Sequence, residues 1–393
     1  MTAASAISPL RVTIVFGTRP EAIKLAPVAR AFSARAAQGD PVQLRVVSTG
    51  QHDALLDDAT AAFALTPDVD LGVMLAGQDL YDIGIRCLTG LRDEIRAWRP
   101  DIVLVEGDTA SVFHAALVAF YERIPVGHVE AGLRSRQKWA PYPEEMFRRL
   151  TDVLADLYFA PTPRAREHLL RENVPAQAIF VTGNTVVDAV QAITRAPPGG
   201  AIENRELAHR LQAGGRIVLL TVHRREVFGE QIRSIFRAIA RLADAHPDVA
   251  FLYPVHPNPN VRVPAHEILS GRPNVHLLEP LAYTDLLRAL QAATLVLTDS
   301  GGIQEEAPSI GVPVLVLRDV TERPEGIEAG VARLVGTDGE RIFTEADQLL
   351  RDKAMPRRGV TTQPYGDGRA AERIADIVLH ELRGLPRRTE DWK

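Results

Sequence analysis

Sulfur, lysine and long apolar runs are all scarce in this chain. Its single cysteine, Cys87, excludes a disulfide framework and any zinc site built on two or more thiolates. No stretch approaches the ~20 uninterrupted apolar residues that a membrane span needs. The opening MTAASAISPL lacks both the basic start and the apolar run of a secretory signal, and reads as a loose end. Lysine occurs only at positions 24, 138, 353 and 393, so nearly all positive charge is arginine. That bias fits either genome composition or a preference for bidentate phosphate recognition. Acidic residues outnumber basic ones by 50 to 45, and the net charge of -5 argues against a general nucleic-acid binder. The 393 residues, 46% of them hydrophobic and 6% aromatic, suffice for two or three domains, each with its own core. The expected class is a soluble cytoplasmic enzyme or binding protein.

Short apolar runs alternate with amphipathic stretches along the whole chain. Residues 11–16, 43–48, 101–105 and 124–128 read as buried strands, separated by helical patterns such as 21–37 and 80–98. Strand signals resume at 157–160, 179–182, 216–221, 250–254, 275–278, 294–298 and 313–317. Such alternation predicts parallel sheets covered on both faces. So many strands exceed one comfortable open sheet, so the chain divides into two doubly wound α/β domains. The seam is placed after Gly183-Asn184-Thr185, ahead of the turn-rich Pro197-Pro198-Gly199-Gly200, and a last helix spans 369–382.

In open α/β sheets, ligands bind beyond the carboxyl ends of the strands. The first strand is followed by Gly17-Thr18-Arg19-Pro20-Glu21. Pro20 suits the first helical position, which puts Arg19 at a helix N-terminus where N–H groups and the dipole favour an anion. An ordinary turn with a solvated arginine is the alternative. The strand at 294–298 leads into Asp299-Ser300-Gly301-Gly302-Ile303-Gln304-Glu305-Glu306. Two glycines allow close approach of a phosphate, Ser300 adds a hydroxyl, and Glu306 would accept ribose hydroxyls; Ser and Gly are also common caps.

Three acids follow strands in the first half: Asp108, Glu130 and Glu144. Singly each reads as a cap or an arginine partner; together on one cleft they would be acid–base machinery. His223, beside Arg224 and Arg225, would serve either as a structural partner or at a leaving phosphate. Gly366-Asp367-Gly368-Arg369-Ala370-Ala371 matches a dinucleotide fingerprint on paper but lacks the preceding strand and the room for a βαβ unit. Asp68-Val69-Asp70 is too short for a metal site. No Walker A lysine, nucleophile elbow or His-Glu-x-x-His pair appears, so neither a metal nor a nicotinamide cofactor is expected.

Taken together, Phe16-Gly17-Thr18-Arg19-Pro20-Glu21-Ala22-Ile23-Lys24, Gly127-His128-Val129-Glu130-Ala131-Gly132-Leu133-Arg134, Pro254-Val255-His256-Pro257-Asn258-Pro259-Asn260, residues 299–308, Thr321-Glu322-Arg323-Pro324-Glu325 and Pro364-Tyr365-Gly366-Asp367-Gly368 resemble the non-hydrolysing UDP-N-acetylglucosamine 2-epimerases over nearly the whole chain. The resemblance implies a GT-B-like fold. Its two Rossmann-like domains would span 1–183 and 184–368, with the active site between them and residues 369–393 returning to the first. It implies a homodimer that interconverts UDP-GlcNAc and UDP-ManNAc without an added cofactor. By the same resemblance Arg19, His223, Ser300, Gly301, Gly302, Glu306 and Arg323 would hold the UDP portion, while Asp108, Glu130 and Glu144 would be the catalytic carboxylates. Asp108 and Glu144 are favoured for proton transfer, Glu130 as a stabiliser and His223 as a proton donor. A glycosyltransferase of the same fold, a hydrolysing relative and a non-catalytic nucleotide-sugar sensor are the competing readings.

Several positions depart from the family pattern. Glu106 stands where a His usually precedes Gly-Asp-Thr, adding an acid beside Asp108. Leu286 replaces an aromatic that would meet the uracil, and Val227 replaces a polar residue. After Gln51 and His52, many members carry an Arg and a nearby Gln for a second, regulatory UDP-GlcNAc; here Asp53 and Ala54 stand, with Gln78 and His256 still available. These changes leave room for a modified UDP-2-acetamido sugar as substrate. They also predict that activation by a second UDP-GlcNAc is weak or lost: UDP-ManNAc supplied alone should turn over at once, and a lag abolished by traces of UDP-GlcNAc would refute this.

Overall fold

The computed structural model describes residues 8–50, 54–75, 77–195, 202–352 and 363–393. Residues 1–7, 51–53 and the Pro197–Gly200 stretch, on which some of the expectations above fall, lie outside them. The chain divides into two compact units, Met1–Ala189 with Gly366–Lys393, and Val190–Tyr365.

The first unit runs β1 (Leu10–Phe16), α1 (Arg19–Ala37), β2 (Val42–Ser48), α2 (Ala54–Ala62), β3 (Val69–Asp70), α3 (Leu80–Trp98), β4 (Ile102–Glu106), α4 (Ala110–Tyr121), β5 (Val126–Val129), α5 (Glu144–Leu154), β6 (Leu157–Ala160), α6 (Pro163–Arg171), β7 (Ile179–Val181) and into α7 (Thr185–Thr194). Its seven strands are ordered β3-β2-β1-β4-β5-β6-β7, all parallel. Strand periodicity sorts the core into two layers. Val12, Ile14 and Phe16 meet α1, while Val15, Val103 and Val105 turn to α3 and α4. Cys87 is buried in this second layer, where burial pushes its thiol up to about 11, far from a reactive thiolate.

The second unit holds α8 (Arg205–Ala213), β8 (Arg216–Thr221), α9 (Glu230–Ala245), β9 (Val249–Pro254), α10 (Pro259–Leu269), β10 (Val275–Leu278), α11 (Tyr283–Ala292), β11 (Leu295–Thr298), α12 (Ile303–Ser309), β12 (Val314–Val316), α13 (Pro324–Glu328), β13 (Ala332–Leu334) and α14 (Gly339–Arg351). Its sheet is parallel too, in the order β10-β9-β8-β11-β12-β13. On α9, Ile232, Ile235, Phe236, Ile239, Leu242 and Ala243 recur at helical spacing and pack on Val218, Leu220 and Phe251. Strand order reverses between β1 and β4 in one sheet and between β8 and β11 in the other, the points where such sheets bind ligands. Among the described residues no helix is long and apolar enough to cross a membrane.

Two features differ from the sequence reading. Edge strands β3 and β13, two and three residues long, carry too little pattern to be seen. Asp68 Oδ2 accepts the Val46 N–H there at 2.7 Å, a role in pairing the sheet edge. The seam falls within α7 instead of ahead of it, and Gly366–Gly368 side with the first unit. The cause lies in α15 (Ala370–Arg383), which packs on α1 with Ile374, Ile377 and Val378 buried. Arg35 pairs with Asp376 across that contact at 2.8 Å. Asp188 of α7 accepts the N–H groups of Ala370 and Ala371 at 3.2 and 2.9 Å, so it closes the start of α15.

Burial drives the Asp188 carboxyl up to about 7, against those two N–H donors, which favour the ionised form. A folded-state value above the unfolded one means stability is complete below the ordinary carboxylate range and is lost as pH rises through neutrality. Each pH unit within that window costs up to about 1.4 kcal/mol. Asp188→Asn should therefore flatten the fall of the unfolding temperature from the ordinary carboxylate range, 3.8, up to about 7; an unaltered slope there would remove Asp188 as its source.

Candidate functional site

At the switch point of the first sheet, chain geometry gathers carboxylates and their cations. Gly17 follows β1, and a Cβ there would lie 2.1 Å from Ser111 Oγ, so only glycine fits. The helix begins at Arg19, one residue earlier than expected, with Thr18 at the cap and Pro20 at the second position. Glu21 accepts the N–H groups of Gly17 at 2.6 Å and Thr18 at 3.2 Å. These donors are thus occupied from within, and the anion affinity of this end falls to the half-buried Arg19 side chain. Burial raises the Glu21 carboxyl despite its backbone donors.

Deeper in the same place, Lys24 projects from α1 between two buried carboxylates. Its Nζ lies 2.9 Å from Glu106 and also bonds Glu130. Asn184 Nδ2 donates to Glu130 at 2.7 Å. Glu130 has a φ of +66°, a left-handed conformation costly for a residue with a Cβ, which these side-chain bonds hold in place. Glu106 is 1% exposed and is spent on Lys24, so it does not join Asp108 as a further acid at the surface of the site. Burial, opposed by Lys24 and reinforced by Glu130, holds the Glu106 carboxyl well above the usual range.

Asp108 lies beyond β4 and is a quarter exposed; Glu144 opens α5 and is half-buried. The link between Asp108 and α5 is Arg148, which bonds Asp108 and reaches Glu145 at 2.8 Å. Glu145 in turn accepts the N–H groups of Ser135 and Arg136 at 2.9 and 3.2 Å, fixing the loop that follows β5. Of the expected carboxylates, Glu130 is therefore held by Lys24 and Asp108 by Arg148, cations that sequence reasoning did not assign. Lys24 had a signal: a rare lysine in the apolar run Ala22-Ile23-Lys24-Leu25-Ala26.

The second unit builds a different chemistry at its own switch point. Asp299, after β11, accepts the N–H groups of His223 and Arg224 at 2.8 Å each, tying the ends of β8 and β11 together. His223 is partly exposed, its Nδ1 3.5 Å from Asp299, and stacks on His256 with ring centres 5.6 Å apart. Burial and the neighbouring His223 lower the His256 imidazole. Helix α12 begins at Ile303 behind Gly302, later than the expected start at Ser300, whose N–H bonds Thr298 Oγ1 at 2.9 Å. A Cβ on Gly301 would meet Arg323 Nη1 at 2.8 Å, so this glycine lets the guanidinium lie against the loop.

Arg323 donates to Glu305 and Glu322 at 2.7 Å each, and Arg318 reaches Glu322 at 2.9 Å. Burial opposes ionisation of Glu322, yet Arg323, Arg318 and Arg224 together hold its carboxyl far below the usual range. Tyr283 donates to Glu306 at 3.4 Å, which orients that carboxylate on the seven-residue α12. Leu286 is half-buried on α11.

Of the remaining expected contacts, Gln51, His52 and Asp53 lie outside the described residues. Gln78 is turned back on its own loop: Oε1 accepts Leu75 N–H at 2.5 Å and Nε2 donates to Val73 O at 3.0 Å. Its amide braces the turn before α3, which sequence spacing does not reveal. Among the described residues, no cluster of three or more His, Cys, Asp or Glu side chains is arranged to hold a metal.

This arrangement was compared with known proteins. A UDP-N-acetylglucosamine 2-epimerase family model matches residues 35–379. The Escherichia coli K12 UDP-N-acetylglucosamine 2-epimerase is 46% identical over 377 residues, covering 94% of this chain and 98% of its own. A Neisseria meningitidis UDP-GlcNAc 2-epimerase solved bound to UDP-GlcNAc gives a TM-score of 0.88 at 41% identity, covering 94% of this chain and 100% of its own. The S. aureus MnaA–UDP co-structure gives 0.89 at 41%, covering 98% and 100%. Two doubly wound parallel sheets of this kind define a GT-B-like enzyme. The chain belongs to the UDP-N-acetylglucosamine 2-epimerase family and is an isomerase.

Proposed function

We propose that this chain interconverts UDP-GlcNAc and UDP-ManNAc by eliminating and re-adding UDP. The observation that carries the reading is the gathering of Asp108, Glu130, Lys24 and Arg148 where the first sheet reverses, opposite in chemistry to the arginine-rich loops of the second. The nucleotide falls to Arg19, His223, Ser300, Gly301, Gly302, Glu306 and Arg323, and the sugar to the carboxylates. The C1–O bond breaks with its electron pair passing to UDP, whose growing charge Arg19 and Arg323 stabilise while His223 supplies a proton. The cationic C1 acidifies the C2 hydrogen, and a carboxylate takes that proton, leaving 2-acetamidoglucal. Re-addition of UDP, with a proton delivered to the other face of C2, completes the inversion. Asp108 and Glu144 serve the two faces and Glu130 stabilises the cation.

In deuterium oxide every turnover by this route should place deuterium at C2 of the product, read by NMR over a panel of UDP-sugars without acceptor. Asp108→Asn should lower kcat by about 100- to 10,000-fold. Turnover that leaves C2 unlabelled would overturn the mechanism; release of free ManNAc and UDP would mark a hydrolase instead.

We also propose a homodimer formed through α3, α4 and α5. Tyr81, Ile85, Phe120, Tyr121 and Val153 on these helices are 81, 62, 58, 65 and 79% exposed, an unusual display of large apolar side chains. Sedimentation should give twice the chain mass, and Ile85→Arg with Phe120→Arg should halve it. A wild-type monomer would sink this assignment.

A further inference from the structure

His128, on β5, is fully buried, and both of its ring nitrogens face oxygen. Nδ1 lies 2.6 Å from Asp152 Oδ1 on α5, and Nε2 lies 2.8 Å from the carbonyl oxygen of Gly107. The Gly107 carbonyl can only accept, so the ring donates to it through Nε2. Asp152 Oδ2 is 2.7 Å from Arg134, which also forks onto Glu172 at 2.9 and 2.7 Å. Asp152 and Glu172 thus share the Arg134 guanidinium, and Arg149 acts on Glu172 as well. Tyr158 adds only an uncharged hydroxyl, bonded to the Asp152 carbonyl at 2.8 Å, and His168 lies apart on the Gly132 carbonyl at 3.0 Å. Burial opposes ionisation of Asp152, yet His128 and Arg134 hold its carboxyl below the usual range.

The second bond reaches toward Asp108. Gly107, at φ +85°, is the residue before Asp108, so His128 fixes the peptide that carries it. Asp152 stands four residues after Arg148 on α5, and the two share a helix face. Helix α5 therefore grips the β4–α4 loop twice, directly through Arg148–Asp108 and indirectly through Asp152–His128–Gly107. Glu144 begins the same helix.

We propose that His128 is the positioning residue that sets Asp108 against Glu144. The proposal rests on the epimerase mechanism given above. In His128→Gln, kcat for epimerisation should fall by about 10- to 100-fold while KM stays within a few-fold, because geometry and not binding is disturbed. An unchanged kcat, or a rise in KM that matches the loss, would overturn the positioning role. Asp152→Asn leaves the His128 contact to Gly107 in place, so it should lose less kcat than His128→Gln; an equal loss would also overturn it. Deuterium at C2 of the wild-type product is measured on its own, so a failure of the mechanism is told apart from a failure of the positioning role.

Discussion

An ammonium group buried between two carboxylates is tolerable only when each charge is met at short range. Lys24 satisfies that condition with Glu106 and Glu130, and the rest of the first unit's site is built outward from it. The pairing joins α1 to the ends of β4 and β5, adding a polar tie to strands whose register the sheet already sets. It also leaves more carboxylate than cation, and burial holds the Glu106 carboxyl well above the usual range.

The two units solve different electrostatic problems with the same architecture. The first concentrates acids and spends a few cations, Lys24, Arg134 and Arg148, to keep them in fixed places. The second surrounds one carboxylate, Glu322, with guanidinium groups and keeps the loops after β8 and β11 together through Asp299. A nucleotide sugar has a matching division: a polyanion at one end and, at the other, a carbon framework whose chemistry depends on proton transfer.

Much of this is legible in the order of the amino acids alone. Buried parallel strands announce themselves as short branched apolar runs, and loops carrying Gly17, Asp108 or Ser300 stand out because they follow such runs. What stays hidden is what depends on partners distant in sequence. Gln78 looks available until its amide is seen folded on Val73 and Leu75. Glu106 looks like an added surface acid until it is found under Lys24. Arg148 and Asp152 read as ordinary charges on an amphipathic helix, since nothing in their spacing tells that Asp108 and His128 lie opposite. The short edge strands escape because two or three residues cannot display a period.

The return of α15 to α1 means that the first unit is discontinuous in sequence, with the second inserted within it. Arg35 waits for Asp376, a partner 341 residues away, and α7 waits for the peptide groups it caps. On a ribosome the inserted unit has all of its strands and helices in hand before the enclosing one receives its last helix, α15. The half that emerges first is the last to be finished.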